Sequence, residues 1–402
     1  MSYYILPKNN NVINVNPKSD SQNCKPYVSN SLLSYYFQIK EQIYSALDVD
    51  NDMSYNTLYE DVIKIVNPHE FIFSIVPGSK LTVSKLTHRT NLFYDLIDVC
   101  KNLNIFEDFK GIKMRTLHIT PQYTSSLDCQ EFIRESITSD ENISYLYFNV
   151  DNDNKNDTFS LLNENRFDFI FHEINLENYI PSFISAILII LRAQSHNGNI
   201  IIKIGQVFFK PVVDILYLLT SFYDKVYMVK PTTSNITTFE RYIVCKRFLY
   251  NETENKTYLK YNYYKLLVFL KKLNGKYISD ILGFNVPYYF KSKIDDLNII
   301  IGQQQLEALD QAICIIKSKN KHEKIESIKK MNIQKSVNWC DKHHIPCNRF
   351  NEKINIFLPL CNEDGIKCLN DNTYINDNTY INVTDITIIN DVFIDEECME
   401  PN

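Results

Sequence analysis

Short β-rich runs alternate with longer helical patterns through the middle of this chain, and that alternation restricts the fold more than any other feature. The strand candidates are Thr116–Thr120, Ile143–Val150, Phe167–Glu173, Asn199–Ile204, Lys225–Val229 and Arg241–Arg247. Between them, Leu127–Ile137, Ile180–Arg192 and Lys210–Tyr223 carry apolar residues at helical spacing. Strands separated by helices of about 10–15 residues build a mostly parallel sheet with helices on its faces. Such sheets bind ligands at the carboxyl ends of their strands. The last two strands, joined by a polar loop, are predicted to form an antiparallel edge.

The flanks differ. Residues 1–30 are rich in Asn, Ser and Pro with little periodicity, which fits a mobile arm or a surface strap. Residues 31–60 look helical, with apolar positions at Leu32, Leu33, Tyr36, Phe37, Ile39 and Ile43. From about 255 to 350 the chain turns helical and basic, most clearly at Tyr261–Leu273 and Gln303–Lys317. Lys321–Met331 carries Lys and Glu along an exposed face, and the basic run Lys317–Lys335 is read as a solvated helix face or a phosphate contact. Residues 360–402 are acidic and repeat Asn-Thr-Tyr-Ile-Asn at 372–376 and 378–382, the pattern of a tail with one or two strands near Thr387–Ile394. The predicted division is therefore 1–60, N-terminal arm and helix; 61–250, α/β domain; 251–360, helical basic region; and 361–402, acidic tail.

With 402 residues, 45% of them apolar, the chain can bury a sizeable core. Its net charge of −6 excludes a wholly basic nucleic-acid coat but not a local basic face. The longest apolar run, Ile184–Leu191, is far short of the ~20 residues that span a bilayer. Met1–Asn10 lacks an apolar signal core, so the ten scattered cysteines are expected as reduced thiols in a soluble, cytosolic protein. Heavy use of Asn, Ile, Tyr and Lys points to an AT-rich genome.

Three segments carry chemistry: Gly198-Asn-Ile-Ile-Ile-Lys-Ile204, Val229-Lys-Pro-Thr-Thr-Ser-Asn235 and Phe239-Glu-Arg-Tyr-Ile-Val-Cys245. Taken singly, a lysine at a strand end is a solvated rim residue, the glutamate an edge-strand charge and the Lys-Pro loop an ordinary turn. In this order they resemble the FtsJ/RrmJ-like family of ribose 2′-O-methyltransferases. There a strand ends in a catalytic Lys, a Lys-Pro-x-x-Ser loop follows a helix, and a Glu opens the last strand. The wording Lys-Pro-x-Thr-Ser-Asn-x-Thr-x-Phe-Glu-Arg-Tyr and the compositional bias are most similar to versions from large cytoplasmic DNA viruses.

The resemblance implies a Rossmann-like S-adenosylmethionine-dependent methyltransferase fold with a C-terminal helical region. It implies S-adenosylmethionine as cofactor, capped or single-stranded RNA as partner, viral protein partners, no membrane, and a location in host cytoplasm or virion. A viral mRNA cap is the implied target. Of the family's Lys-Asp-Lys-Glu tetrad, Lys203 is then the central Lys, Glu240 the Glu, and Glu173 stands at the Asp position. The best frame puts Asp95 where the first Lys belongs, with Lys85 and Lys80 as nearby substitutes. Thr120 and Pro121 fall at the cofactor turn, and Asp151 either holds a cofactor ribose or begins the acidic loop Asp151–Asp157. Lys230, Ser234 and Arg241 are placed to reach RNA, although strand alternation allows Arg241 to face away.

Methyl transfer to a ribose 2′-hydroxyl needs that weak acid made nucleophilic. Burial and neighbours are expected to tune a lysine's pKa toward neutrality, so that it steers or accepts the proton. Two departures favour a competing function, the altered tetrad with Asp95 and Glu173 and the cofactor turn. The segment Leu117–Ser126 has no glycine where the family's cofactor turn is Gly-rich, and Tyr123 is expected to intrude on cofactor space. The alternative is a catalytically degenerate methyltransferase fold serving as an RNA-binding, virion-packaged or complex-assembling subunit. His172 beside Glu173 does not read as a metal pair, because adjacent strand residues face opposite ways. Cys340, His343 and Cys347 have short zinc-like spacing, but a helix end with Trp339 packed inward and a turn at Pro346 is the favoured reading.

Overall fold

The computed structural model describes residues 1–22, 25–47, 52–86, 89–134, 140–145, 165–273, 275–317 and 322–350. In chain order come strands β1 (Ser2–Ile5) and β2 (Lys18–Asp20), then helices α1 (Asn30–Ala46), α2 (Asp52–Val66) and α3 (Asn91–Asn102). The α/β part follows as β3 (Arg115–Ile119), α4 (Tyr123–Arg134), β4 (Glu141–Tyr145), β5 (Phe167–Glu173), α5 (Tyr179–Ala193), β6 (Gln194–Ile204), α6 (Lys210–Phe222), β7 (Tyr223–Lys230) and β8 (Arg241–Phe248). The chain continues through α7 (Glu252–Lys271), β9 (Tyr277–Asp280), α8 (Tyr288–Lys317) and α9 (His322–Lys342). The acidic loop at 151–157, the tail at 361–402 and its repeat lie outside the described residues.

The central sheet has the order β1-β7-β8-β6-β5-β3-β4. β4, β3, β5 and β6 pair in parallel, whereas β8 runs antiparallel to both β6 and β7. The fold is thus mixed α/β and Rossmann-like, with a mostly parallel sheet and a helical region after it. The antiparallel pair does not form the sheet edge, as the sequence suggests. β8 inserts between β6 and β7, and β1 covers the outer side of β7.

Period-two alternation assigns the two faces. Ile170, Ile200, Ile202, Ile243 and Cys245 pack with α5 and α6 in one core. Phe169, Phe171, Ile201, Tyr242 and Val244 pack in another with residues of α3 and with Trp339 and Cys340 of α9. β-branched residues suit strands buried on both faces, which is why β6 reads as an unbroken Ile run.

Residues 1–22 and 25–28 form the strap rather than a mobile arm. The Leu6 N–H donates to Val226 O at 2.8 Å, Asn16 N–H to Ile281 O at 2.8 Å and Tyr27 N–H to Phe208 O at 2.7 Å. Leu6, Ile13, Val15 and Val28 are buried in the same core as α5 and α6. α8 packs along α1 and α2. At Gly302 any side chain would collide with Leu32 of α1, so the glycine permits the close approach of the two helices.

Candidate active site

The register of the sheet builds the site. Glu173 at the end of β5 lies opposite Lys203 of β6, and Lys203 lies opposite Tyr242 of β8. These three share one face, and Glu240 enters from the residue just before β8. Lys203 Nζ stands 2.9 Å from Glu173 Oε1 and 2.5 Å from Glu240 Oε1. The three side chains are 17–18% exposed, so the cluster is desolvated but reachable. The second oxygen of Glu173 accepts a hydrogen bond from Thr120 Oγ1 at 2.5 Å, which ties in the end of β3. The cluster therefore sits at the carboxyl ends of three parallel strands, where this class of sheet places ligands.

Burial works against the Lys203 ammonium, but the charges of Glu173 and Glu240 outweigh it and hold its pKa well above the ordinary lysine value. The expected tuning toward neutrality does not occur. For Glu240, burial would raise the pKa, but Lys203 and Lys230 pull it below the usual carboxylate value.

Asp95, in the frame of the family's first Lys, does reach this neighbourhood from α3. It is buried and accepts hydrogen bonds from Thr233 Oγ1 and from Tyr242 OH, the latter at 3.0 Å. Burial and the nearby Glu240 charge push its pKa up to about 8. Asp95 thus places a neutral carboxylic acid behind the cluster, where the resemblance implies a second cation. Lys80 and Lys85 are exposed on the segment leading to α3. The backbone N–H of Lys85 donates to Pro346 O at 2.8 Å, and its side chain is not among the hydrogen-bond partners of the Lys203 cluster.

The Lys-Pro loop is folded inward, against the expectation that it reaches for RNA. Lys230 is 7% exposed, and its Nζ donates to the carbonyls of Asn235 (2.8 Å), Thr238 (3.2 Å) and Glu240 (2.8 Å). Burial lowers its pKa to about 8. Ser234 is buried and donates to Pro231 O at 3.0 Å. Arg241 is 0% exposed and faces away from the cluster, its Nη1 donating to Asn298 Oδ1 of α8 at 2.5 Å. All three are corrected from RNA contacts to buried internal groups: Lys230 and Ser234 donate to protein acceptors, and Arg241 is tied through Nη1 alone, its Nε and Nη2 being buried with no hydrogen-bond partner among the described residues.

Sequence reasoning missed what holds this loop. Asp98, one helical turn from Asp95, accepts from the Thr232 N–H and Oγ1, both at 2.9 Å, and stands 3.3 Å from His343 Nε2. Burial would raise its pKa, but hydrogen bonds from His343 and Thr232 prevail and lower it to about 2. The legible signal was two acids three residues apart on one helix face. His343 is thus engaged with Asp98, while Cys347 Sγ lies 3.6 Å from Asp341 Oδ1. Among the described residues no three His, Cys, Asp or Glu side chains converge as a metal site.

Between β3 and α4 only Thr120, Pro121 and Gln122 intervene. Thr120 is buried, donates to Glu173 and accepts from the Gln122 N–H at 3.1 Å. The ring of His118 meets Ser126 Oγ at 2.9 Å and Gln130 Oε1 at 3.0 Å, which pins α4 to β3, and burial lowers its pKa to about 4. Tyr123, expected to intrude on cofactor space, stands 42% exposed at the first turn of α4. Pro121 is exposed. This turn does not fit S-adenosylmethionine in the way the resemblance implies. It has no glycine to admit a ligand to the backbone, and the Thr120 hydroxyl is already committed. Asp151 lies outside the described residues.

No family model matches the chain, and no curated protein matches it. Among solved structures it is similar to Haemonchus contortus phosphoethanolamine N-methyltransferase 2, solved with phosphomonomethylethanolamine and S-adenosylhomocysteine. The identity is 13% over 39% of this chain and 38% of that one, with a TM-score of 0.26.

Proposed function

We propose that this chain is an RNA ribose 2′-O-methyltransferase-like protein in which the Glu173–Lys203–Glu240 cluster meets the 2′-hydroxyl, a viral mRNA cap being the substrate class. The supporting observation is Lys203 Nζ held between two carboxylates at the carboxyl edge of the sheet. An ammonium has three donors. Two are directed at Glu173 and Glu240, which leaves the third for a substrate oxygen. Kept cationic by its neighbours, Lys203 orients that oxygen and stabilises negative charge developing on it; it does not take the proton.

A second reading is favoured by the glycine-free turn and by Asp95: a methyltransferase fold that has lost its donor site and serves as an RNA-binding or complex-assembly subunit. Calorimetric titration of the full chain with S-adenosylmethionine, followed by transfer of labelled methyl to capped RNA, separates the two. The first reading expects micromolar binding and transfer that disappears in Lys203→Ala, with thermal melting used to show that the variant is folded. Absence of binding at millimolar cofactor, with no transfer, would overturn it and leave the second.

A further inference from the structure

We propose that Arg241 anchors a buried binding site for a phosphate-class oxyanion, on the face of the sheet opposite Lys203. The Arg241 side chain is 0% exposed, and no carboxylate among the described residues pairs with it. Taking a cation out of water is costly unless an opposite charge and hydrogen-bond acceptors meet it. Here the acceptors meet only part of the group. Nη1 donates to Asn298 Oδ1 at 2.5 Å and stands 3.8 Å from Met228 Sδ. Nε and Nη2 are enclosed with no hydrogen-bond partner among the described residues. These two nitrogens share one edge of the guanidinium plane and their N–H bonds run parallel. That edge is the fork that takes two oxygens of a phosphate or carboxylate at once.

The fork is held in position. Asn298 Nδ2 donates to Val207 O at 2.7 Å, which fixes the α8 amide with its oxygen toward the guanidinium. Arg241 lies opposite Ile204 in the register, so the group stands beside the turn that follows β6. Tyr179, the first residue of α5, ties that turn: its hydroxyl donates to Gln206 O at 2.8 Å, and a Cβ added at Gly205 would lie 3.8 Å from its ring. The Arg241 charge opposes the rise that burial imposes on the Tyr179 pKa, so the hydroxyl and the guanidinium share one neighbourhood. Tyr179, Gly205 and Gln206 are half-buried, whereas Asn298, Met228, Ile204 and Val207 are buried. The path from solvent to the fork therefore runs through this turn. Gln206 Oε1, on the same turn, is also enclosed without a partner among the described residues. A phosphate that keeps one proton offers it a donor.

Arg241 directly follows Glu240, and the two side chains turn to opposite faces. An anion on Arg241 therefore fixes the start of β8 and with it the carboxylate that stands 2.5 Å from Lys203 Nζ. The inference uses no assumption about methyl transfer.

For the test, the full chain is dialysed into chloride and titrated with inorganic phosphate by calorimetry at matched ionic strength, with its melting temperature followed in parallel. Saturable binding is expected, with a rise in melting temperature beyond that given by chloride. Arg241→Lys keeps the charge but has no fork, so binding should weaken by about tenfold or more while the variant still melts cooperatively in chloride. Tyr179→Phe gives up the tie to Gln206 O, so phosphate should exchange several-fold faster, read by phosphorus NMR line broadening. A uridine dinucleotide serves as competitor: displacement of phosphate assigns the site to a nucleic-acid phosphate, and no displacement assigns it to a free oxyanion. No saturable binding by the wild-type chain would overturn the proposal, as would phosphate binding to Arg241→Lys as tight as to the wild type. If Arg241→Lys does not fold, an unchanged exchange rate in Tyr179→Phe overturns it instead.

Discussion

Asp95 illustrates how one side chain sets the electrostatics of the site. An unfolded aspartate releases its proton near pH 3.9, whereas the folded chain holds this one to about pH 8. Between those values the folded state binds the extra proton, so this group's contribution to stability falls as pH rises from about 4 to about 8 and is constant above. Asp95→Asn keeps an oxygen for Thr233 and Tyr242 and removes the ionisation. It should raise the melting temperature at pH 8 and leave it nearly unchanged at pH 4; a variant less stable than wild type at pH 8 would show that the carboxylate is ionised and favourably paired. Asp98 acts in the opposite direction: its folded value is about 2, so its contribution is present above about pH 4 and is lost as pH falls through about 2. At this scale the sequence was informative where residues end strands. Glu173, Lys203 and Glu240 were legible because strand ends meet at one edge. Lys230, Ser234 and Arg241 were misplaced because a motif states which residues occur together but not which way each side chain turns.

The Lys-Pro loop is the element through which these residues are held. Its ten residues from Pro231 to Glu240 close over one buried ammonium, and α3 grips it from behind through Asp95 and Asp98. Lys230→Met would leave three inward carbonyls without their charged donor, at a cost of about 3 kcal/mol. Because the ammonium is enclosed, the same substitution should leave the salt dependence of RNA binding unchanged. Denaturant titration, and titration of capped RNA at several salt concentrations, check the two halves; a flattened salt slope with unaltered stability would mean that Lys230 does turn outward to phosphate. Most α/β elements were predicted to within a few residues, because alternating apolar strands and amphipathic helices leave little freedom. The larger differences have local causes. β6 begins at Gln194 rather than Asn199, where Gln194 Nε2 donates to Phe167 O and extends contact with β5 past a glycine. α8 begins at Tyr288 rather than Gln303, since Phe290, Ile294, Leu297 and Ile301 continue its apolar stripe through Gly302. The predicted helix at 127–137 and strand at 143–150 each run beyond the described residues.

For the molecule as a whole, the N-terminal segment takes the second of the two readings its composition allowed, a strap rather than a mobile arm. Its low periodicity is that of a segment making isolated contacts with many partners rather than one regular face. β1 pairs with β7 along Ser2–Ile5 and so covers the edge of β7, leaving a strand of only four residues as the sheet edge. Further on, Tyr258 OH donates to Ile13 O at 2.6 Å, and the Val15 N–H donates to Asn262 Oδ1 at 2.9 Å, both on α7. The strap therefore joins the edge of the sheet to α7. Burial of Leu6, Ile13 and Val15 contributes about 1.5–3 kcal/mol each, a sum comparable with the whole net stability of many domains, about 5–15 kcal/mol. Removal of residues 1–15 should lower the melting temperature strongly, expose the β7 edge and produce concentration-dependent association in size-exclusion chromatography. Leu6→Ala alone should destabilise the chain while leaving it monomeric, because β1 still covers the edge of β7. A truncated chain that melts within a few degrees of the full one and stays monomeric would mean that the strap is an ornament on a core that stands without it.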